Sequence, residues 1–263
     1  MDGRLPFTKV TACGNDFLIL EGELVPAQEL HRVTQQICDR HLGIGADGVE
    51  WLFSTHDADV EARLVNSDGS DAEVSGNGTR CVAAFFAQYR GLNTVRVMTG
   101  AGVKTCTLTQ QNGMEFEFRS DMGEPRVEGE VAISLARGEC RGIKLSMGNP
   151  QFVVFVDKFR SDWQAIGAQI EAHRFFPNRT NVEFVNVVGP NEIEIRIFER
   201  GAGETQSSGT GSCAAAVAAI HTGRVKSPVR VVSPGGPQVV EWHHGRVSLT
   251  GPARILCQGD LFL

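Results

Sequence analysis

The chain has 263 residues, a formal net charge of −6, 41% hydrophobic residues and 21% charged residues. That length allows one large domain or two of about 130 residues, each able to bury a core. The acidic balance excludes a generally basic surface for nucleic acid or anionic lipid. No apolar run approaches the roughly 18 residues of a membrane span, and Met1-Asp2-Gly3-Arg4 opens no signal-peptide core. A cytoplasmic protein with no nucleic-acid or membrane partner is the expectation.

In chain order, Phe7-Thr8-Lys9-Val10 alternates as a strand, Cys13-Gly14-Asn15-Asp16 turns, and Phe17-Leu18-Ile19-Leu20 reads as a buried strand. A helix is predicted from Pro26 to about Asp39, with Leu30, Val33 and Ile37 at helical spacing. The loop 39–48 is glycine-rich, but it lacks the Walker ending and the GxGxxG spacing, which argues against a nucleotide site. Strands are predicted at 49–53, 62–66, 94–99, 103–109 and 114–119, with Asn112-Gly113 as a hairpin signal. Met122 to about Glu130 reads as a loose domain junction. Beyond it lie a strand from Phe152 to Val156, a helix from Trp163 to about His173, strands at 182–188 and 191–198, and further strands after 222. His243-His244 sits in a turn-like stretch and reads as solvated, not as a metal site.

Seven cysteines, an odd number at irregular spacing and without a CxxC, argue against a disulfide framework or a zinc site. Packed, reduced thiols are the expectation, Cys81 and Cys213 included.

One pattern occurs twice. Ser75-Gly76-Asn77-Gly78 and Ser208-Gly209-Thr210-Gly211 each lead into an alanine-rich apolar run. The runs are apolar all round, so they belong inside a core. A helix start of this kind gathers free N–H groups and the positive end of the helix dipole, which suits an anion. The serines are equally good plain N-caps. The pattern is part of a longer repeat. A spacing of 134 separates Asn15 from Asn149 and Arg40 from Arg174, and 133 separates Asn66 from Glu199 and Ser75 from Ser208. An internal duplication follows. The predicted fold is α/β (α+β): two pseudo-symmetric domains, 1–127 and 128–263, each a mostly antiparallel sheet wrapped around a central helix. The last residues are free to return to the first domain. A cleft between the halves would hold the ligand. Amide and guanidinium groups of Asn15, Asn66, Asn77, Asn149, Asn181 and Arg200 suit a small zwitterion with a carboxylate. Proton-transfer groups on opposite faces of one carbon are what inversion of a stereocentre requires.

The same residues resemble the diaminopimelate epimerase family. The matching stretches are Gly14-Asn15-Asp16-Phe17, residues 39–48, Asn66-Ser67-Asp68-Gly69-Ser70, Gly76-Asn77-Gly78-Thr79-Arg80-Cys81, Met147-Gly148-Asn149-Pro150, Asn181-Val182-Glu183-Phe184, residues 199–205 and Gly209-Thr210-Gly211. The resemblance implies cofactor-independent epimerisation of L,L- to meso-diaminopimelate in lysine and cell-wall precursor synthesis, often by a homodimer. It implies that Asn15, Asn66, Asn149, Asn181, Glu199 and Arg200 hold the distal end and ammonium group of the substrate. Gly76, Asn77, Gly209 and Thr210 would hold its α-carboxylate.

The chain departs from the family at three places. Ser75 and Ser208 stand where the family has its two catalytic cysteines, and Gln151 stands where it has a histidine. A thiol titrates near 8.5 and a helix start can make it a working thiolate; a serine hydroxyl is many units less acidic. Near-isosteric replacement of the cysteines accounts for both serines but not for Gln151, whereas divergence accounts for all three. Two readings follow. One is an isomerase with Ser75 and Ser208 at the chemical positions, supported by Glu199. The other is a diverged or inactivated homologue that binds a related amino acid, or that works through another base such as Glu199 or Cys13.

Overall fold

The computed structural model describes residues 4–262. In chain order the elements are β1 (Arg4–Ala12), β2 (Asn15–Glu21), α1 (Leu30–Cys38), β3 (Gly48–Phe53), β4 (Val60–Asn66), β5 (Asp71–Ala72), α2 (Gly76–Arg90), β6 (Thr94–Thr99), β7 (Gly102–Asn112) and β8 (Glu115–Gly123). They continue with β9 (Arg126–Leu135), β10 (Gly138–Ser146), β11 (Pro150–Phe155), α3 (Trp163–Glu171), β12 (Asn181–Gly189), β13 (Glu192–Glu199), β14 (Gly203–Thr205), α4 (Gly209–His221), β15 (Val229–Ser233), β16 (Gly236–His243) and β17 (Arg246–Phe262). The chain forms two compact units. One comprises the residues up to Ser120 together with those from Gly251 on; the other is Asp121–Thr250.

The first unit wraps its strands around α2. β1 pairs antiparallel with β2, β2 parallel with β3, β3 antiparallel with β4, β4 antiparallel with β5 and parallel with β6, and β6 antiparallel with β7. Cys81, Val82, Ala83 and Ala84 of the helix are fully buried against strand residues such as Val10, Phe17, Ile19 and Phe118. Small alanines let the sheet close on the helix from several sides, and each large side chain so buried contributes about 1.5–3 kcal/mol. Gly91 ends α2 in the left-handed conformation (φ 68°). A second core lies under α1, where Trp51 Nε1–H donates to Thr34 Oγ1 (2.9 Å).

The second unit repeats this order. β10 pairs antiparallel with β11, β11 parallel with β12, β12 antiparallel with β13, β13 antiparallel with β14 and parallel with β15, and β15 antiparallel with β16. The central helix is α4, whose Cys213 to Ala219 are completely buried. All seven cysteines are free thiols, six of them buried or half-buried. Burial pushes the Cys81 thiol well above its ordinary range.

Three local expectations are corrected. The stretch 126–130 is not a loose junction but the start of β9, which pairs with β10 over its whole length. Its alternating Val127, Val131, Ile133 and Leu135 are half-buried or buried while the residues between them face out, so the period-2 pattern prevailed over the glycines and Pro125. The first helix opens with a 3-10 turn at Ala27–Glu29, and regular α-helix begins only at Leu30. The paired glycines do not precede the central helices; Gly76 and Gly209 are already their first residues.

Candidate functional site

Each central helix starts in the same way. Ser75 lies extended (φ −120°, ψ 124°), and its Oγ accepts the N–H of Gly78 at 3.1 Å. Ser208 (φ −142°, ψ 127°) accepts the N–H of Gly211 at 3.3 Å. Both serines are therefore N-caps that satisfy one free helix donor each. The remaining N–H groups of the first turn stay available to an anion.

In the first unit, the predicted residues around Ser75 form a connected set. Asn77, in the first turn of α2, donates to Asn15 Oδ1 (2.6 Å), and Asn15 donates to Asp47 Oδ2 (3.1 Å). Arg80 is buried and donates to Asn77 Oδ1 (2.5 Å) and to the Pro252 carbonyl (3.3 Å). These bonds fix the Asn77 carboxamide from both ends. Asn66, at the end of β4, is half-buried and donates to Ser70 Oγ (3.0 Å). The loop at 39–48 is held by ion pairs: Arg40 bridges Asp16 (2.7 Å) and Asp47 (2.8 Å), and Lys9 reaches Asp16 (2.9 Å). Burial of Asp16 works against its charge, but the bonds from Arg40 and Lys9 outweigh that and lower its pKa.

In the second unit, Asn149 donates to Thr210 Oγ1 (3.4 Å) and accepts from Gln151 Nε2 (2.7 Å). Asn181 accepts the backbone N–H of Arg200 (2.8 Å) and donates to the Pro150 carbonyl (3.2 Å). Arg200 is exposed, and its guanidinium donates to the Asn178 carbonyl (3.3 Å). Glu199 is half-buried at the end of β13; burial raises its pKa, and a hydrogen bond from the Ser208 hydroxyl partly offsets this. Glu171, deeply buried, accepts from the Gly201 N–H (3.1 Å) and pairs with Arg179 (2.5 Å), which supports the turn after Glu199. Cys13 is buried on its turn, and Arg80 approaches its sulfur at 3.7 Å.

Sequence reasoning passed over two residues that stand out in the structure. Glu50 on β3 and Glu183 on β12 are buried carboxyls directly under α2 and α4. A Cβ added at Gly78 would collide with Glu50 Oε1, and one at Gly211 would lie 3.0 Å from Glu183 Oε1. Burial pushes Glu50 up to about 8. Burial, and then the neighbouring Glu199 charge, push Glu183 well above its usual range. Among the described residues no three His, Cys, Asp or Glu side chains are grouped to hold a metal ion, and no helix is long and apolar enough to cross a membrane.

The fold is shared with solved structures of low sequence identity. They include a PhzF-family phenazine biosynthesis protein from Bacillus anthracis (TM-score 0.74, 14% identity, 99% of each chain covered). Another is a hydroxyproline epimerase from Agrobacterium vitis (TM-score 0.72, 15% identity, 99% of this chain and 92% of that one). The architecture is thus of an α+β class to which a hydroxyproline epimerase belongs. Sequence comparison is more specific. The profile described as diaminopimelate epimerase matches residues 7–128 and 143–256. Proteins named diaminopimelate epimerase from Pelotomaculum thermopropionicum (40% identical, 97% of this chain and 98% of that one) and Methanococcus maripaludis (33%, 98% and 99%) align nearly end to end. The chain belongs to the diaminopimelate epimerase family, whose members are isomerases of amino acids.

Proposed function

We propose that this chain inverts the α-carbon of diaminopimelate, taking the L,L form to the meso form without a cofactor. The observation that carries the reading is the doubled serine-capped helix start, with its flanking asparagines, in a chain that aligns end to end with proteins of that name. In this reading Gly76 and Asn77, with Gly209 and Thr210, present helix-start N–H groups to the α-carboxylate. Asn15, Asn66, Asn149, Asn181, Glu199 and Arg200 take the ammonium groups and the distal carboxylate. Carboxylate binding at two helix starts also acidifies the α-proton, because it stabilises the charge that develops when the proton leaves.

Inversion then needs two proton-transfer groups serving opposite faces of a single α-carbon. In this reading Ser75 and Ser208 are those groups; the support is that each caps a helix start and that the Ser208 hydroxyl bonds Glu199. In the same reading the chain works as a homodimer, on the family resemblance, which sedimentation checks, and in the cytoplasm, the expectation drawn from its sequence.

The test is incubation with L,L-diaminopimelate in deuterium oxide. The expected result is deuterium at one α-carbon together with meso product. Exchange absent here but restored by Ser75→Cys plus Ser208→Cys would favour the binding-only reading, for which the missing thiols are the motivating observation. No binding and no exchange in either protein would refute the substrate.

A further inference from the structure

The second unit contains a cavity that neither the serine caps nor the substrate contacts use. It has a volume of about 330 Å³ and lies between α3, strands β11 and β12 and the β9–β10 hairpin. Alternate residues of β11 and β12 face opposite ways. Val153 and Val185 pack around α4, whereas Val154 and Phe184 face α3 and form the floor of the cavity. Trp163 and Ile166 of α3, and Phe159 on the loop before it, complete an apolar wall. The Trp163 and Phe184 rings meet edge to face, with centroids 5.9 Å apart.

The first unit has a different side chain at this place. Trp51 is 133 residues before Phe184, and Thr34 is 133 before Gly167. Trp51 is completely buried under α1, and its indole N–H donates to the Thr34 hydroxyl. In the second unit the ring is the smaller phenyl and glycine replaces the threonine, so no such bond closes the layer between helix and sheet.

The mouth of the cavity is charged. Arg137 Nη1 and Arg160 Nε both donate to the Asp162 carboxylate, at 3.0 and 2.8 Å. The bond from Arg160 holds Asp162 below the usual carboxylate range. Glu139 pairs with Arg141 (2.8 Å), which also reaches Glu130 (3.6 Å). The Arg196 guanidinium lies over the Phe159 ring, 4.4 Å from its centroid. Four guanidiniums therefore accompany three carboxylates. Two of the four share Asp162, which leaves N–H donors for a further anion.

We propose that this cavity binds a small apolar anion, with a one-ring or branched hydrocarbon body against Trp163 and Phe184 and a carboxylate on Arg137 and Arg160. An apolar chamber with a few polar groups at its edge is the common form of a small-molecule site, and this volume suits a single ring better than a length of chain. The site lies wholly within one unit and is independent of the epimerase reading. Cys140, a free and half-buried thiol, lines the same cavity and serves as a reporter.

The experiment titrates the protein with 3-phenylpropanoate by calorimetry. In parallel, iodoacetamide labelling of Cys140 is followed by peptide mass spectrometry, with the exposed Cys257 as internal control. The expected result is one site per chain, half-saturated at about 1 mM or below. At ~10 times that concentration Cys140 labelling should slow about tenfold while Cys257 is unchanged. The neutral twin, 3-phenylpropanamide, should bind about tenfold more weakly, because the charge-assisted bonds are lost. Phe184→Trp restores the larger ring of the first unit, and Ala165→Trp covers the mouth; each should abolish both signals. If Phe184→Trp fails to fold, Ala165→Trp, at an exposed helix position, decides alone. No binding by about 10 mM would overturn the proposal. So would binding that leaves Cys140 labelling unchanged, equal affinity for the amide, or binding undiminished in Ala165→Trp. Diaminopimelate is absent throughout, so the substrate reading is judged separately.

Discussion

Glu50→Gln should make the protein more stable, and increasingly so as pH rises. The side chain is buried under α2, and burial moves its pKa from 4.5 to about 8. A folded state that holds its proton more tightly than the unfolded chain loses stability wherever only the unfolded chain has ionised. Below pH 4.5 both states are protonated and Glu50 costs nothing through ionisation. Between 4.5 and about 8 the penalty grows by about 1.4 kcal/mol per pH unit. Above about 8 it is constant, near 5 kcal/mol on this reckoning. Glutamine has the same shape and does not ionise, so the variant should match wild type at pH 4.5 and exceed it by about 3–5 kcal/mol at pH 8.5. Urea unfolding of both proteins at pH 4.5, 6.5 and 8.5 measures the difference. Parallel stabilities across that range would refute a buried, proton-holding Glu50.

Three further outcomes are expected. Gly78→Ala drives a methyl into Glu50 Oε1 and should cost about 1–3 kcal/mol as overpacking. Adding Glu50→Ala should return much of that cost, which a double-mutant unfolding cycle detects. Ser208→Ala removes the cap on the Gly211 N–H and should lower stability by about 1 kcal/mol in thermal melts, while abolishing α-proton exchange. Asp16 has a lowered pKa, so its ion pairs with Arg40 and Lys9 contribute stability above the ordinary carboxylate range, and that contribution fades as pH falls through the folded value. Asp16→Asn should therefore destabilise at pH 7 and converge with wild type near pH 2, as followed by circular dichroism.

Much of the architecture was legible from spacing alone. The 133–134 offset located two like halves, and alanine-rich runs free of charge pointed to helices inside sheets. Serine before Gly-x-Gly marked both helix starts, although the helices begin two or three residues earlier than the alanine-rich runs suggested. What escaped has physical reasons. β9 carries exposed residues at every second position and a glycine at 129 (φ 108°), so its composition resembles a linker. Its partner β10 mixes charge and glycine in the same way. Glu50 and Glu183 were passed over because a lone acid in Gly-Val-Glu-Trp-Leu-Phe or Asn-Val-Glu-Phe-Val reads as a strand residue turned to solvent. Only the fold reveals that β3 and β12 are covered on that face. The usable signal was their spacing, since a duplicated acid within two apolar strands matches the duplication of the serines. Gln151 was noted for what it replaces; its bond to Asn149 and its unpaired Oε1 required coordinates.

The division of the chain between its units bears on the order in which the protein is made. The second unit is continuous from Asp121 to Thr250, but the first closes only with the residues from Gly251 on. Those residues pair with β1, Val10 opposite Ile255 and Thr8 opposite Gln258, and place Ala253 and Ile255 in the core around α2. The half that leaves the ribosome first therefore waits for the segment from Gly251 on, with an open edge on β1 and an uncovered flank of its helix in the meantime. The half that begins later has all its strands in hand earlier. Birth order and completion order are reversed, and the carboxyl-terminal strand is the clasp that lets the older half finish.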